Sequence, residues 1–238
     1  MPSTDLVSKE GGADERQIIS TFGVATPRLI YGTAWKKERT AALVELALRQ
    51  GFRGVDTACQ PKHYNERGVG EGLAAAFGSG LARSAVYVQT KFTPFAGQDP
   101  NDLPYDPKAS LSQQVLQSFQ ASLRNLRTDY LDGLLLHSPY PDDKDIRAFC
   151  RERGIIYQSF WTLTANPEVL AAPDLIELAA KYGRSPAQIF FRYLTQLDIA
   201  CLTGTSSKDH MQQDLSIFQF RLSQAECESL GALLLRSP

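Results

Sequence analysis

Four residues that could move protons stand at or just after apolar stretches of the sequence. Asp56 follows residues 51–55, and Tyr64 comes within ten residues of it. Lys91 and His137 each end a further apolar stretch. If the four groups meet, the lysine ammonium could lower the pKa of the phenol, which could then give a proton to a carbonyl oxygen. The residue types therefore indicate acid–base chemistry.

Each of these residues also has a purely structural interpretation. Asp56 could cap a helix or hold the following loop, Tyr64 could be a packed aromatic residue, and His137 could be a satisfied core histidine. Lys91 is harder to explain in this way, because a lysine that ends an apolar strand is costly unless it is paired. A carboxylate such as Asp56 at the same end of the sheet would be its natural partner.

Strand and helix patterns alternate along the chain and predict where these residues lie. Six stretches have the length and apolar composition of strands: residues 29–34, 51–55, 85–92, 130–137, 155–161 and 199–202. Helical patterns lie between and after them, at residues 38–50, 69–77, 111–126, 142–153, 173–182, 186–196, 210–218 and 223–235. This order is typical of a parallel α/β sheet, in which the loops after the strands share one edge. We therefore expect Asp56, Lys91 and His137 at that edge.

The length and composition of the chain favour one domain that acts on a small molecule. The chain has 238 residues, an apolar fraction of 43% and a formal net charge of −1. It can form one large core, and it has no basic excess that would select nucleic acid or an anionic membrane as a partner. We expect residues 27–238 to form this domain and residues 1–26 to be disordered or irregular.

The cysteines and histidines form neither a disulfide framework nor a zinc-binding pattern. The four cysteines are widely spaced without a CxxC pair, and only three histidines accompany them. No apolar run approaches the ~20 residues that span a bilayer, and residues 1–16 lack the apolar centre of a secretory signal. We therefore expect a cytoplasmic protein with reduced thiols and without a metal site.

Two weaker signals could belong to a binding site. Gly204 and Thr205 begin a small polar segment before a helix, so backbone N–H groups there could hold an anion. Serine and threonine cap helices equally well without a ligand. Phe160 and Trp161, after the fifth strand, could form a platform for a flat ring or belong to the core.

Several strings of residues, in this order, resemble those of the aldo-keto reductases, (β/α)8-barrel enzymes that reduce carbonyl compounds with NADPH. The chain is similar to a fungal branch of that family, and the resemblance covers about residues 27–235. The strings are Asp56-Thr57-Ala58-Cys59-Gln60-Pro61-Lys62-His63-Tyr64, Gln89-Thr90-Lys91-Phe92, Leu136-His137-Ser138-Pro139 and Tyr157-Gln158-Ser159-Phe160-Trp161-Thr162-Leu163.

The resemblance implies a role for each residue of the acid–base group. Tyr64 would be the general acid that reduces an aldehyde or ketone, Asp56 and Lys91 would tune its pKa, and His137 would orient the carbonyl. The spacing between the aspartate and the tyrosine is longer than is usual in the family, which leaves His63 as an alternative acid.

The resemblance also implies a nicotinamide cofactor, NADPH or NADH. The residues that would bind it are Thr33, Ser159, Trp161, Gly204, Thr205 and His210. Gly204 stands where the family has a phosphate-binding lysine, and His210 stands where it has an arginine that helps to hold the 2′-phosphate. The usual basis for preferring NADPH to NADH is therefore weakened.

The chain departs from the family after the His137 strand, where about two βα units of roughly 30 residues each are missing from a barrel of ~250 residues. The fold class that we predict is α/β, as an incomplete or remodelled (β/α)8 TIM barrel with about six core strands. In the family the missing strand ends hold the nicotinamide carboxamide. Because removing strands from a barrel leaves open edges, a homodimer across the gap is expected.

Three functions are compatible with a chain that keeps the four acid–base residues and lacks the strands that hold the nicotinamide in the family. The first is NAD(P)H-dependent reduction of a small carbonyl compound, with compensating contacts from the loop after Trp161 and the turn at Thr205. The second is a cofactor-independent isomerase, cyclase or lyase that uses the same four residues for proton transfer. The third is a catalytically silent member of the family.

Overall fold

A computed structural model of the chain describes residues 15–19, 23–137 and 156–234. Its first two strands, β1 (Gln17–Ile19) and β2 (Ala25–Pro27), pair as an antiparallel ribbon. The ribbon lies apart from the main sheet and precedes its first strand in the chain.

The prediction that residues 1–26 are irregular is wrong where β1 and β2 form. Long-range ion pairs hold the residue that precedes the ribbon. The Glu15 carboxylate accepts hydrogen bonds from Arg192 at 2.7 Å and from Arg221 at 2.9 Å. These partners are more than 170 positions away along the chain, so no local sequence pattern could have indicated them.

Six parallel strands form the central sheet. They are β3 (Leu29–Gly32), β4 (Gly54–Asp56), β5 (Tyr87–Phe92), β6 (Gly133–Leu136), β7 (Gln158–Ser159) and β8 (Ala200–Thr203). Their order across the sheet is β6-β5-β4-β3-β8-β7. Each predicted strand is confirmed, although the strand predicted at residues 155–161 is reduced to the two residues of β7.

Helices connect most of these strands and cover the sheet. They are α1 (Thr40–Gln50), α2 (Glu66–Gly78), α3 (Leu111–Leu126), α4 (Pro167–Leu170), α5 (Pro173–Tyr182), α6 (Pro186–Gln196), α7 (Lys208–Leu215) and α8 (Gln224–Leu234). The predicted bounds of α3, α5 and α6 are confirmed. Ser110 and Ser185 explain the sharp starts of α3 and α6, because each forms a capping box with a glutamine three residues later. The helix predicted at residues 142–153 lies outside the described residues.

The core lies between the sheet and its helices. Ile30, Tyr31, Val55 and Val88 are fully buried strand residues, as expected of parallel strands that are covered on both faces.

The sheet is curled, and its two outer strands do not meet. Within the described residues, β6 and β7 each pair with one strand only. Gln89 of β5 nevertheless contacts Gln158 of β7 across the concave face, which requires strong curvature. The prediction of an incomplete (β/α)8 barrel with about six core strands is confirmed.

Candidate active site

Asp56 and Lys91 form a buried ion pair at the carboxyl edge of the sheet. Strands β4 and β5 are neighbours with Asp56 opposite Gln89, so Lys91, two residues further on, points to the same face. The Lys91 Nζ lies 2.6 Å from each carboxylate oxygen and 2.8 Å from the carbonyl oxygen of Thr57. All three donor positions of the ammonium are thereby used. The predicted pairing of this lysine is present.

Tyr64 lies beside this ion pair, in the loop that follows β4. The Lys91 Nζ is 5.1 Å from the centre of its ring, and the ring of His137 is 5.9 Å away in an edge-on arrangement. In the described part of the chain, the Tyr64 hydroxyl has no hydrogen-bond partner. The structure therefore brings Asp56, Tyr64, Lys91 and His137 together and leaves the phenol proton available.

The pKa of Tyr64 differs from the sequence-based expectation. Burial raises the pKa of Tyr64, and the negative charge of Asp56 raises it further. The prediction that the ammonium lowers this pKa is therefore wrong for this arrangement. The physical reason is that Lys91 is bound to both oxygens of Asp56, so the carboxylate offsets its positive charge. A phenol with a raised pKa keeps its proton at neutral pH, as a proton donor must.

His137 is uncharged at neutral pH and is held by the β5 strand end. Burial lowers the pKa of His137 to about 4, and the Lys91 charge contributes to the decrease. The His137 Nδ1 lies 2.9 Å from the Thr93 Oγ1. When the Thr93 hydroxyl donates this bond, the Nε2 of the ring carries the hydrogen and can donate to a substrate oxygen.

Thr93 is a site residue that the sequence analysis missed. It lies two residues beyond Lys91, at the same strand end, and it is buried. Its position after a predicted strand was a usable signal. The residue type was not a usable signal, because threonine is common in such loops for structural reasons alone.

His63, the alternative acid, is placed differently from Tyr64. Its ring packs against Trp35 in a tilted arrangement, with 4.1 Å between the ring centres, and Trp35 is 57% exposed. The Tyr64 ring, by contrast, lies near both Lys91 and His137. The geometry therefore favours Tyr64 as the acid.

Two residues expected to bind the cofactor have hydroxyls that are already engaged within the protein. The Thr33 Oγ1 donates to the carbonyl oxygen of Asp56 at 2.8 Å, and Thr33 is fully buried. The Ser159 Oγ lies 2.8 Å from the Thr162 Oγ1. Thr33 thus holds the end of β4, and Ser159 shapes the turn after β7.

The other expected cofactor residues lie at the surface of the same edge. Gly204 and His210 are exposed, Thr205 is half-buried, and Trp161 is 59% exposed. The Thr205 Oγ1 accepts a hydrogen bond from the backbone N–H of Ser207 at 3.1 Å. These residues are accessible, in contrast to Thr33.

Lys36 is a second residue that the sequence analysis missed. Its ammonium donates to the carbonyl oxygen of Gly204, so a lysine from the loop after β3 reaches the place where a lysine was expected in the last strand's loop. Burial lowers the pKa of Lys36, and the nearby charge of Arg39 lowers it further. Lys36 therefore lies at Gly204, and Arg39 is near enough to Lys36 to affect its pKa.

The sequence matches the family model "Aldo/keto reductase family" over residues 21–162 and 161–234. The chain belongs to the aldo/keto reductase family. The described residues contain no group of three or more His, Cys, Asp or Glu side chains that could hold a metal ion. None of its helices in those ranges is both long and apolar enough to cross a membrane.

Relatives of this chain have low sequence identity to it but align with it over most of their length. D-galacturonate reductase of Fragaria ananassa is 23% identical over 313 aligned positions that cover 98% of this chain and 92% of the relative. Glyoxal reductase of Bacillus subtilis is 23% identical, with 80% and 82% covered. The first alignment is longer than this chain of 238 residues, so the relative contains residues without a counterpart here.

Solved structures of the family share the fold. An aldo/keto reductase from Brucella melitensis superimposes with a TM-score of 0.73 at 22% identity, covering 91% of this chain and 98% of that one. The aldose reductase from Schistosoma japonicum has a TM-score of 0.77 at 18% identity, with 93% of each chain covered.

Proposed function

We propose that this protein reduces a small aldehyde or ketone to an alcohol, with a nicotinamide nucleotide as the cofactor and Tyr64 as the proton donor. Family membership and the reductase names of the relatives support carbonyl reduction in general. The observation that carries the specific proposal is the Tyr64 hydroxyl, which has no hydrogen-bond partner among the described residues and lies beside the Asp56–Lys91 pair and the neutral His137.

The residues of the site divide the proton chemistry among them. A carbonyl oxygen between Tyr64 and His137 would accept hydrogen bonds from the phenol and from the Nε2 of the imidazole. When bound, the cofactor supplies a hydride to the carbonyl carbon. The Tyr64 proton then passes to the carbonyl oxygen, which becomes the alcohol hydroxyl. The Lys91 ammonium, 5.1 Å from the centre of the Tyr64 ring, would partly balance the charge of the phenolate left behind to the extent that Asp56 does not offset it.

The residues near Gly204 fit the phosphate end of such a cofactor. Gly204 exposes its backbone, and the nearest atoms to a side chain placed there would be the Lys36 Nζ at 3.6 Å and the carbonyl oxygen of Gly32 at 3.9 Å. Lys36 and Arg39 supply positive charge at this place. We propose that these groups and Thr205 hold the phosphates, and that the exposed Trp161 covers the cofactor.

We place NADPH before NADH because Lys36 lies at Gly204 and Arg39 interacts with Lys36, which supplies positive charge for a third phosphate. Titration with each nucleotide tests this choice. Binding to the folded state raises apparent stability by mass action, so we expect the thermal midpoint to rise with NADPH at lower concentrations than with NADH. The same preparation is then mixed with NADPH and glyoxal or D-galacturonate, and oxidation of the nucleotide is followed by absorbance. No thermal shift at millimolar nucleotide would contradict the proposal.

A cofactor-independent isomerase, cyclase or lyase is the second candidate. The observation that favours it is that the hydroxyls of Thr33 and Ser159 are engaged within the protein. In that case Tyr64, Lys91, Asp56 and His137 would transfer protons without a hydride. Conversion of a carbonyl compound without nucleotide, lost on Tyr64→Phe substitution, would establish it. Absence of both activities would indicate a catalytically silent protein.

A further inference from the structure

Two glutamines, one fully buried and one half-buried, form a hydrogen-bonded pair across the concave face of the sheet, and the proposed mechanism does not use them. Gln89 lies within β5 and is fully buried, while Gln158 is the first residue of β7. The Nε2 of each amide lies 2.8 Å from the Oε1 of the other. β5 and β7 are not neighbours in the sheet, so this pair links two separate parts of the site edge.

Gln89 extends the pair to the Asp56 carboxylate. Its Nε2 also donates to the Asp56 Oδ1 at 2.7 Å. The two hydrogens of the amide are therefore used, one on Asp56 and one on Gln158, and its oxygen accepts from Gln158. The orientation of the amide is fixed, because exchanging its nitrogen and oxygen would place the oxygen against the carboxylate. A continuous path of hydrogen bonds runs from Gln158 through Gln89 to Asp56.

Lys91 alone does not fix the orientation of the carboxylate. Its Nζ is equally distant, at 2.6 Å, from both oxygens of Asp56, and an ammonium acts as a point charge on a flexible stem. A planar amide bound to one oxygen selects one rotation of the carboxyl group. Gln158 binds the other two polar positions of the Gln89 amide and so limits how far this amide can move away from Asp56.

We propose that Gln89 and Gln158 are positioning residues that hold Asp56, and through it Lys91, in the orientation that supports Tyr64. Neither glutamine needs to touch the substrate. β7 thus takes part in the acid site although it contributes none of the four proton-transfer residues. The catalytic consequence of this inference rests on the function proposed above.

The kinetic test uses methionine, which matches glutamine in length and lacks the amide. Because the loss of one hydrogen bond corresponds to up to about a factor of ten, we expect Gln158→Met to lower kcat roughly tenfold and to change KM by less than about twofold. Gln89→Met should have a similar effect. The double variant should be no slower than Gln89→Met, because both substitutions break one path. A kcat for Gln158→Met within about twofold of the unsubstituted protein would overturn the proposal.

A spectroscopic test does not require activity. The side-chain carboxyl carbon of Asp56 gives an NMR resonance that depends on its hydrogen bonds. We expect Gln158→Met to shift this resonance although residue 158 does not contact Asp56, and to have no such effect when Gln89→Met is already present. An unchanged resonance in the single variant would contradict positioning. If no carbonyl compound is reduced, the proposed function fails, and this measurement still decides the inference.

A matched control separates positioning from loss of a buried amide. Gln188 is a buried glutamine of α6 whose Nε2 donates to the Gln213 carbonyl oxygen and the Ser216 Oγ, both at 2.8 Å. Gln188→Met should lower stability and leave kcat per folded molecule and the Asp56 resonance unchanged. Should Gln158→Met fail to fold, Gln158→Asn serves, because its amide is one methylene too short to reach Gln89. The same kinetic and spectroscopic outcomes then apply.

Discussion

The proton of the Tyr64 hydroxyl is held by no other group in the described residues, whereas the neighbouring Lys91 and His137 side chains are engaged. Lys91 has all its donors on Asp56 and Thr57, and His137 is held through Thr93. A free donor surrounded by engaged groups can bond a substrate without first breaking a bond in the protein. This arrangement predicts different effects on stability and on rate when single side chains are changed.

Removing the Tyr64 hydroxyl should affect the rate and not the stability. We expect Tyr64→Phe to lower kcat by about 10²–10⁴-fold, the usual contribution of a positioned proton donor, and to change the free energy of unfolding by less than about 0.5 kcal/mol. Steady-state kinetics and urea denaturation measure the two quantities. Tyr182→Phe is the control, since its hydroxyl bonds Glu226 at 2.7 Å, away from the site. An active Tyr64→Phe variant would exclude Tyr64 as the acid.

The low pKa of His137 predicts a pH dependence of stability. Its pKa is about 4 in the folded protein and about 6.5 in an unfolded chain. Between these values the unfolded state binds more protons, so His137 makes the protein less stable as the pH falls from about 6.5 to about 4.

Replacing His137 should remove this contribution. We expect the stability of His137→Gln, relative to the unsubstituted protein, to increase as the pH is lowered through that window. Urea denaturation at several pH values measures the difference. The comparison cancels the opposite contribution of Asp214, whose pKa burial raises to about 6. A difference that does not vary with pH would show that His137 titrates normally.

At the scale of elements, the close packing of α2 against α3 helps to position the strand ends that carry the site. Helix α2 follows the Tyr64 loop, and α3 precedes the His137 strand. Gly70 of α2 lies against the backbone of Asn125 and Leu126 at the end of α3, and a Cβ at residue 70 would overlap the carbonyl oxygen of Asn125. Backbone cannot move aside as a flexible side chain can, so this glycine determines how near the two helices approach.

Two glycines of α2 provide a matched test of this packing. We expect Gly70→Ala to lower the free energy of unfolding by about 1–3 kcal/mol, the usual cost of overpacking. Gly78→Ala, at the last residue of the same helix, adds a methyl group with nothing within 4 Å. This substitution should be neutral or stabilising by up to about 1 kcal/mol. Thermal or urea denaturation measures both variants. Equal effects would show that the contact does not limit the approach of α2 to α3.

At the scale of the whole molecule, the sheet is a curled half-barrel whose outer strands each have one strand partner in the described ranges. The side chain of Leu134 in the outer strand β6 is 46% exposed. Unpaired backbone groups and exposed apolar residues at a sheet edge favour pairing with another chain. The structure thus keeps the prediction of a homodimer open to test.

We expect the protein to form dimers through β6 and Leu134→Lys to shift it towards the monomer. Sedimentation velocity over a range of concentrations measures the oligomeric state. Ile176→Lys is the control, because Ile176 of α5 is similarly exposed, at 50%, and lies away from the edge. A monomer at all concentrations would contradict a dimer, and equal effects of the two substitutions would exclude β6 as the interface.

The sequence by itself determined the features that depend on short stretches of chain. The alternation of apolar strands with helices predicted six strands of a parallel α/β sheet, the resemblance to a family implied that they form an incomplete barrel, and capping residues fixed the bounds of α3 and α6. Because parallel strands end at one edge, the positions of Asp56, Lys91 and His137 after strands predicted that they meet. These signals lie within a few residues of the elements that they describe.

Tertiary structure alone decided the features that depend on residues far apart in the chain. Gln89 and Gln158 are 69 positions apart, and Lys36 and Gly204 are 168 apart, so no local pattern relates them. The direction of the Tyr64 pKa shift was likewise undetermined, because burial and the balance of the Asp56 and Lys91 charges exist only after folding. The sequence determined which groups reach the site, and folding decided which of them remain free to react.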